Sequence, residues 1–103
     1  MYLEERRRSQ RFPVNLRLTW RLRAGAEGAG ETCNVSSGGL LFRCGRALPL
    51  GQLIEANLEW PFLYDQRHPL VLRVYGMTLR SSVEGTAMSI SRHEYRMRAV
   101  QPV

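Results

Sequence analysis

Residues 14–23 read VNLRLTWRLR, a strict alternation of hydrophobic and polar residues. Successive side chains of a β-strand point to opposite faces, so this period of two is typical of a strand that buries one face. The apolar positions would face a core, and the outer face would carry Arg17, Arg21 and Arg23. The stretch therefore predicts a half-buried strand with an arginine-rich outer surface.

The same pattern continues through the rest of the chain. After a flexible turn predicted over residues 24–30 (AGAEGAG), further strands are predicted over residues 31–35, 40–43, 54–60, 70–79 and 86–90. Pro61 is expected to stop the fourth strand, and a loop is expected from Asp65 to Pro69. The alternation slips around Gly76, which indicates a bulge there. Residues 93–103 are expected to form a short helical turn or a frayed tail.

Six short strands and no convincing amphipathic helix indicate an all-β fold, either a sandwich or a barrel. Closure into a barrel removes exposed sheet edges, so a single small six-stranded antiparallel β-barrel is expected. We divide the chain into a flexible basic N-terminal arm (1–13), the barrel (14–98) and a tail (99–103). Trp60 and Phe42 are also expected to point inward. The residues expected mainly inside the barrel are Leu16, Leu18, Trp20, Leu41, Ile54, Leu58 and Met88.

The composition fits one soluble domain. At 103 residues and 44% hydrophobic content the chain can build one core. It has no apolar run of the roughly 18 residues that span a bilayer, and its first residues lack an apolar signal segment, so a cytoplasmic location is expected. Cys33 and Cys44 are expected to be reduced thiols.

Positive charge is concentrated at the N-terminus. All 15 basic residues are arginine, and residues 1–23 carry a net charge of +5, whereas the remaining 80 residues carry +1. A basic arm on a nearly neutral body favours an anionic partner, and planar arginine favours phosphate or guanine.

Few residues suggest catalysis or metal binding. His68 and His93 lack metal-ligand spacing with the cysteines, and Asp65 is the sole aspartate. No acid pair or Ser-His-Asp set can be assembled, so we expect neither an enzyme nor a cofactor or metal.

Two short motifs contain residue types that could bind a ligand. The arm contains Arg7-x-x-x-Arg11, flanked by Arg6 and Arg8; in an extended chain the two outer arginines lie on one side, roughly 13 Å apart. Between two predicted strands lies Asn34-x-Ser36-x-x-Gly39, with Gly38 beside it. Asn and Ser side chains can read a base edge, and Gly39 permits close approach. The simpler alternative is a hairpin turn whose Asn34 and Ser36 only bond their own backbone.

Together, in this order on a small β protein, the two motifs resemble the PilZ family of bacterial cyclic di-GMP receptors. The resemblance implies that Arg7, Arg11, Asn34, Ser36 and Gly39 contact the dinucleotide. An arginine before the first motif, here Arg6, is similar to that of members that bind two ligand molecules. Asn34 stands where the family often has Asp, which keeps a hydrogen-bond acceptor but loses its charge.

The resulting expectation is a non-catalytic receptor that signals to an unidentified downstream protein. Neither a membrane nor a specific nucleic acid is expected as a partner. One alternative is a ligand-free protein-interaction barrel. Another is a small basic nucleic-acid-binding barrel, which the predicted inward aromatic residues disfavour, because single strands stack on outward aromatic side chains.

Overall fold

The computed structural model describes residues 12–98, and side chains from residue 14 onward. The described chain forms eight strands and contains no helix, so none that could cross a membrane. The strands are β1 (Phe12–Pro13), β2 (Arg17–Leu22), β3 (Glu27–Val35), β4 (Gly39–Arg43), β5 (Leu53–Tyr64), β6 (His68–Ser82), β7 (Gly85–Ser89) and β8 (Arg92–Met97). Residues 1–11, most of the predicted arm, and residues 99–103, the predicted tail, lie outside the described part.

Six strands close into the predicted antiparallel barrel. Their order is β3-β2-β5-β6-β7-β4, and pairing of β3 with β4 completes the ring. The two additional strands extend the same sheet: β1 pairs with the end of β3, and β8 pairs with the first half of β6. The six barrel strands correspond to the six predicted ones, so the fold class is confirmed.

The alternation in β2 predicts its burial correctly. Leu18, Trp20 and Leu22 are buried, and the polar residues between them are exposed. Most of the predicted inward positions are confirmed as core: Leu16, Leu18, Trp20, Ile54, Leu58 and Met88, with Phe42. Trp60 is partly buried and packs against this core.

The inward position predicted for Leu41 is wrong. Leu40 and Phe42 are buried, whereas Leu41 is only partly buried. Adjacent residues of a strand face opposite sides, so Leu41 and Phe42 cannot both point into the core. The Leu-Leu-Phe run contains no polar residue that would reveal which of its members face inward.

The turn predicted over residues 24–30 is shorter than expected. The chain reverses around Gly25, which has a positive φ of 120°, and β3 begins at Glu27. Gly30 lies inside the strand, where an added Cβ would come within 2.2 Å of the Arg43 carbonyl oxygen. Glycine there serves a close approach between β3 and the end of β4.

The hairpin of β5 and β6 also extends beyond its predicted ends. Pro61 does not stop β5, because pairing shifts register between Trp60 and Leu63 and the strand resumes to Tyr64. The proline thus occupies an irregularity, where a missing N–H is tolerated. Asp65 and Gln66 turn the chain with positive φ of 57° and 59°, so the predicted loop is a tight hairpin.

Gly76 is not the site of a bulge. It pairs in regular register with Ile54, and the irregularity of β6 lies between Thr78 and Arg80, facing β7. A Cβ on Gly76 would come within 1.7 Å of the Ser89 carbonyl oxygen. The absence of a side chain lets the end of β7 cross β6.

The helical turn or frayed tail predicted from residue 93 is wrong for the described part of that segment. Residues 92–97 form β8, which pairs with β6 from Leu70 to Tyr75. The stretch alternates apolar or aromatic residues (His93, Tyr95 and Met97) with charged ones. β8 thereby adds a third strand beside the β5–β6 hairpin.

Candidate ligand-binding site

Residues 34–39 run from the end of β3 through a short turn at residues 36–38 to the start of β4, and the Ser36 side chain holds this turn. Ser36 Oγ donates to the Gly39 carbonyl at 3.0 Å and accepts from the Gly39 N–H at 3.2 Å. The Ser36 N–H also donates to the Gly39 carbonyl, at 2.8 Å. The Ser36 hydroxyl therefore fixes the turn, as the simpler alternative for this residue expected.

Gly39 is needed for contact with a neighbouring strand. It pairs with Ser89 of β7, and an added Cβ would lie 2.9 Å from the Met88 carbonyl oxygen. Its φ is outside the left-handed region. Glycine's close approach, rather than a positive φ, explains this position.

Asn34 lies beside an irregularity in β3. The pairing with β4 shifts between Thr32 and Asn34, which leaves Cys33 as the extra residue. Asn34 is half-buried, and its side chain makes no hydrogen bond to another residue within the described range 14–98. Its amide is thus available at the rim of the barrel, next to the turn.

The segment that leads into the barrel runs along the end of β3. Phe12 pairs with Val35 and Pro13 with Asn34, and the Val14 N–H donates to the Cys33 carbonyl at 3.3 Å. This backbone pairing brings the first described residue of the chain to the start of the Ser36 turn.

Buried Thr32 anchors the following residues. Its hydroxyl accepts from the Leu16 N–H at 2.8 Å and donates to the Val14 carbonyl, and its N–H donates to the Leu16 carbonyl at 2.8 Å. Residues 14–16 are therefore fixed against β3, and the path of the chain into the barrel is well defined.

The opposite side of the turn is tied to the link between β7 and β8. The Ile90 N–H donates to the Gly38 carbonyl at 3.0 Å, and the Ser91 N–H donates to the Tyr75 carbonyl at 2.8 Å. One residue after Ser91, β8 begins. Sequence reasoning missed this contact, because nothing in the local pattern connects residue 38 to residue 90.

The predicted site residues therefore fall into two groups. Asn34, Ser36, Gly38 and Gly39 are brought together in one turn. Arg6, Arg7, Arg8 and Arg11 lie outside the described residues. The pairing of Phe12 and Pro13 with β3 had no signal in the sequence beyond the extended conformation favoured before proline.

Charged residues on the outer face of the barrel compensate one another. Glu55 lies between Arg21, at 3.9 Å, and Arg73, at 3.6 Å. Arg73 Nε also donates to Asn57 Oδ1 at 2.7 Å. On β8, a hydrogen bond from Arg96 lowers the pKa of Glu94 below its ordinary value of 4.5.

A groove of about 740 Å³ is lined by residues that include Arg21, Arg23, Tyr75 and Ser91, but none from the Asn34–Gly39 turn. Within residues 12–98, no three His, Cys, Asp or Glu side chains cluster closely enough to bind a metal ion. Cys33 and Cys44 are both half-buried free thiols.

Comparison with known proteins identifies the domain. No curated protein matches the sequence. The sequence model of the PilZ domain matches residues 5–89, a range that contains both motifs and all six barrel strands. PilZ domains are a family of cyclic di-GMP receptors and are generally non-catalytic. The match covers most of the chain, and the closed six-stranded barrel agrees with it: the chain belongs to the PilZ domain family.

Proposed function

We propose that this PilZ domain is a non-catalytic cyclic di-GMP receptor whose ligand binds between the arginine arm and the Asn34–Gly39 turn. The observation that supports this most directly is the pairing of Phe12 and Pro13 with Val35 and Asn34. Arg11 immediately precedes Phe12, so the arm is covalently attached beside the turn. Arg7 and Asn34 are 27 residues apart in sequence, and the attachment of Arg11 next to this pairing supports one shared site for the two motifs.

The residue types match the chemistry of the ligand. Cyclic di-GMP carries two phosphates and two guanines, and arginine can pair with phosphate, bind guanine O6 and N7, and stack on the purine. In this proposal Arg7 and Arg11 clasp the dinucleotide, with Arg8 beside them, and the side-chain amide of Asn34 binds a guanine edge. Arg6 supports the binding of a second, stacked ligand molecule.

Ser36 and Gly39 have a supporting role in this proposal. The Ser36 hydroxyl already bonds both backbone groups of Gly39, so it acts mainly by holding the turn in shape. Gly39 keeps β4 close to β7 beneath the ligand. Binding would then be transmitted to a downstream protein through a change in the arm.

The test is a calorimetric titration of cyclic di-GMP into wild type and into the variants Arg7→Ala and Arg11→Ala. Each loses a charge-assisted contact, so affinity should fall by roughly 10- to 100-fold, equivalent to about 1.5–3 kcal/mol. Arg80→Ala is the matched control: Arg80 is exposed on β6, opposite Ala87, and belongs to neither motif.

Equal affinity in wild type and both arm variants would rule out the proposed site. If wild type binds no cyclic di-GMP at all, the ligand-free protein-interaction barrel becomes the better account. The Arg80→Ala control should bind like wild type; if it loses affinity to the same degree as the arm variants, binding reflects general positive charge rather than the arm.

A further inference from the structure

The β5–β6 hairpin and β8 together expose an aromatic face that continues from the core. Trp60 packs against the core, and its ring lies 5.7 Å from that of Tyr95 and 6.3 Å from that of Phe62. Trp60, Tyr64, Leu70, Tyr95 and Met97 line a groove of about 540 Å³. We call these five residues the Trp60 face. Such a concentration of exposed aromatic side chains is typical of interaction surfaces.

β8 is also an edge strand. In the described part of the chain it pairs only with β6, so its other edge presents free backbone N–H and C=O groups. An exposed edge beside an apolar face favours addition of another strand. Residues 90–98, which include this edge, lie beyond the range 5–89 that the PilZ sequence model matches.

The side chains of β8 are self-complementary in one antiparallel register. Pairing two β8 strands about Tyr95 sets Glu94 of each opposite Arg96 of the other on one side of the sheet. On the other side it sets Tyr95 against Tyr95, and His93 against Met97. The alternative register, about Glu94, would place Glu94 opposite Glu94 and Arg92 opposite Arg96. Directly opposed like charges destabilise a sheet, so this register is less favourable.

One pair of arginines, Arg92 of β8 and Arg98 just after it, is opposed in the register about Tyr95. Pairing about Tyr95 brings Arg92 opposite Arg98 of the second copy. Each already has a partner in its own chain: Arg92 lies 4.1 Å above the Tyr75 ring, and Arg98 lies 3.7 Å from Glu59. The charge of Arg98 is thus partly compensated by Glu59, and Arg92 is held over an aromatic ring, before any association.

We propose that two copies of the chain associate through antiparallel pairing of their β8 edges, which joins the two Trp60 faces about a twofold axis. Such an interface is isologous, so every substitution acts twice. The proposal concerns β8 and does not depend on cyclic di-GMP binding.

The first test is sedimentation velocity of the ligand-free full chain from about 1 µM to about 1 mM, a range that covers weak to moderate association. The expected result is a concentration-dependent shift from the 11.9 kDa monomer to twice that mass. A chain that stays monomeric throughout would overturn the proposal.

A charge-reversal series tests the register. Glu94→Arg alone places like charges opposite each other twice, and the dimer dissociation constant should rise by about tenfold or more. Combining it with Arg96→Glu restores opposite charges, so the double variant should return to within about threefold of wild type. Failure of the double variant to recover dimerisation would contradict pairing about Tyr95.

A matched pair of apolar variants tests the face. Met97 and Leu50 are both 59% exposed, but only Met97 belongs to the Trp60 face. Met97→Ser should weaken dimerisation by about tenfold, and Leu50→Ser should leave it unchanged. Equal effects of the two variants would place the contact elsewhere and overturn the proposal. Unchanged circular dichroism spectra would establish that all variants remain folded.

Discussion

Gly39 and Gly76 lie where two backbones approach too closely for any side chain. The neighbouring atoms are carbonyl oxygens of β7, at 2.9 Å and 1.7 Å from the ideal Cβ positions. A backbone oxygen cannot swing away as the end of a flexible side chain can. These two glycines therefore set how closely β4 and β6 approach β7, and through that the shape of the barrel beneath the turn.

We predict that Gly76→Ala destabilises the fold more than Gly39→Ala. An overpacked interior typically costs about 1–3 kcal/mol, and Gly76, with the shorter approach, should fall at or above the top of that range. Gly85→Ala is the matched control, since its Cβ would meet Leu41 Cδ1 at an ordinary 3.5 Å. Urea denaturation measures all three, and a Gly76→Ala protein no less stable than Gly85→Ala would contradict this account.

Glu94 gives a prediction about pH. Its pKa lies below 4.5, chiefly because Arg96 Nε donates to its carboxylate at 3.0 Å. Since the pKa is lower in the folded state than in the unfolded state, the pair's contribution to stability is present above pH 4.5. It is lost as the pH falls through the folded-state value. An NMR titration should show the pKa rising toward 4.5 in Arg96→Gln, and an unchanged pKa would exclude Arg96 as the cause.

At the scale of elements, the turn between β3 and β4 is a hydrogen-bonded unit centred on Ser36. Ser36→Ala removes the two hydroxyl bonds to Gly39 and should cost about 1 kcal/mol of stability. The core is untouched, so the barrel should stay folded. If the turn shapes the ligand site, affinity for cyclic di-GMP should fall as well.

Ser37→Ala provides the control for that variant, because Ser37 is exposed in the same turn. Urea denaturation and calorimetry should find it close to wild type in both stability and affinity. Ser36→Ala and Ser37→Ala proteins that behave alike would show that the Ser36 hydroxyl does not hold the turn.

The alternation of apolar and polar residues is a good predictor of the barrel strands but not of all their ends. It located all six barrel strands, because each has a buried face and an outer face. The predicted strand ends were wrong where a glycine or proline was expected to end a strand: Gly30 lies within β3, and Pro61 lies within β5. In both cases the tertiary structure determines how far the strand extends: Gly30 lies close to Arg43, and a register shift near Trp60 accommodates Pro61. β8 was missed because a single short charged strand has too few apolar residues to stand out.

At the scale of the whole molecule, barrel closure assembles the candidate site from distant parts of the chain. The turn is flanked by β1 on one side, through Phe12 and Pro13, and by Ile90 on the other. The sequence identified the motif residues in the turn, since their types match a known pattern. Their neighbours could not be predicted, because those contacts depend on how the sheet closes.

The last described strand lies outside the range that matches the family model. Residues 5–89 carry the barrel and both motifs, and β8 lies beyond them. The hydrogen bond between Ile90 and Gly38 links the two parts directly. The turn is thus joined both to β7, where Gly39 pairs with Ser89, and to the link that leads into β8.

The central claim, that this chain is a cyclic di-GMP receptor, is tested most directly by one calorimetric comparison. Wild-type protein is titrated with cyclic di-GMP and, separately, with the linear dinucleotide of the same composition. Both ligands contain two guanines, but only the cyclic form presents its two phosphates in one closed ring for Arg7 and Arg11 to clasp. We predict at least about tenfold tighter binding of the cyclic form, a difference of about 1.4 kcal/mol. Equal affinity for the two dinucleotides, or no binding of either, would contradict the claim.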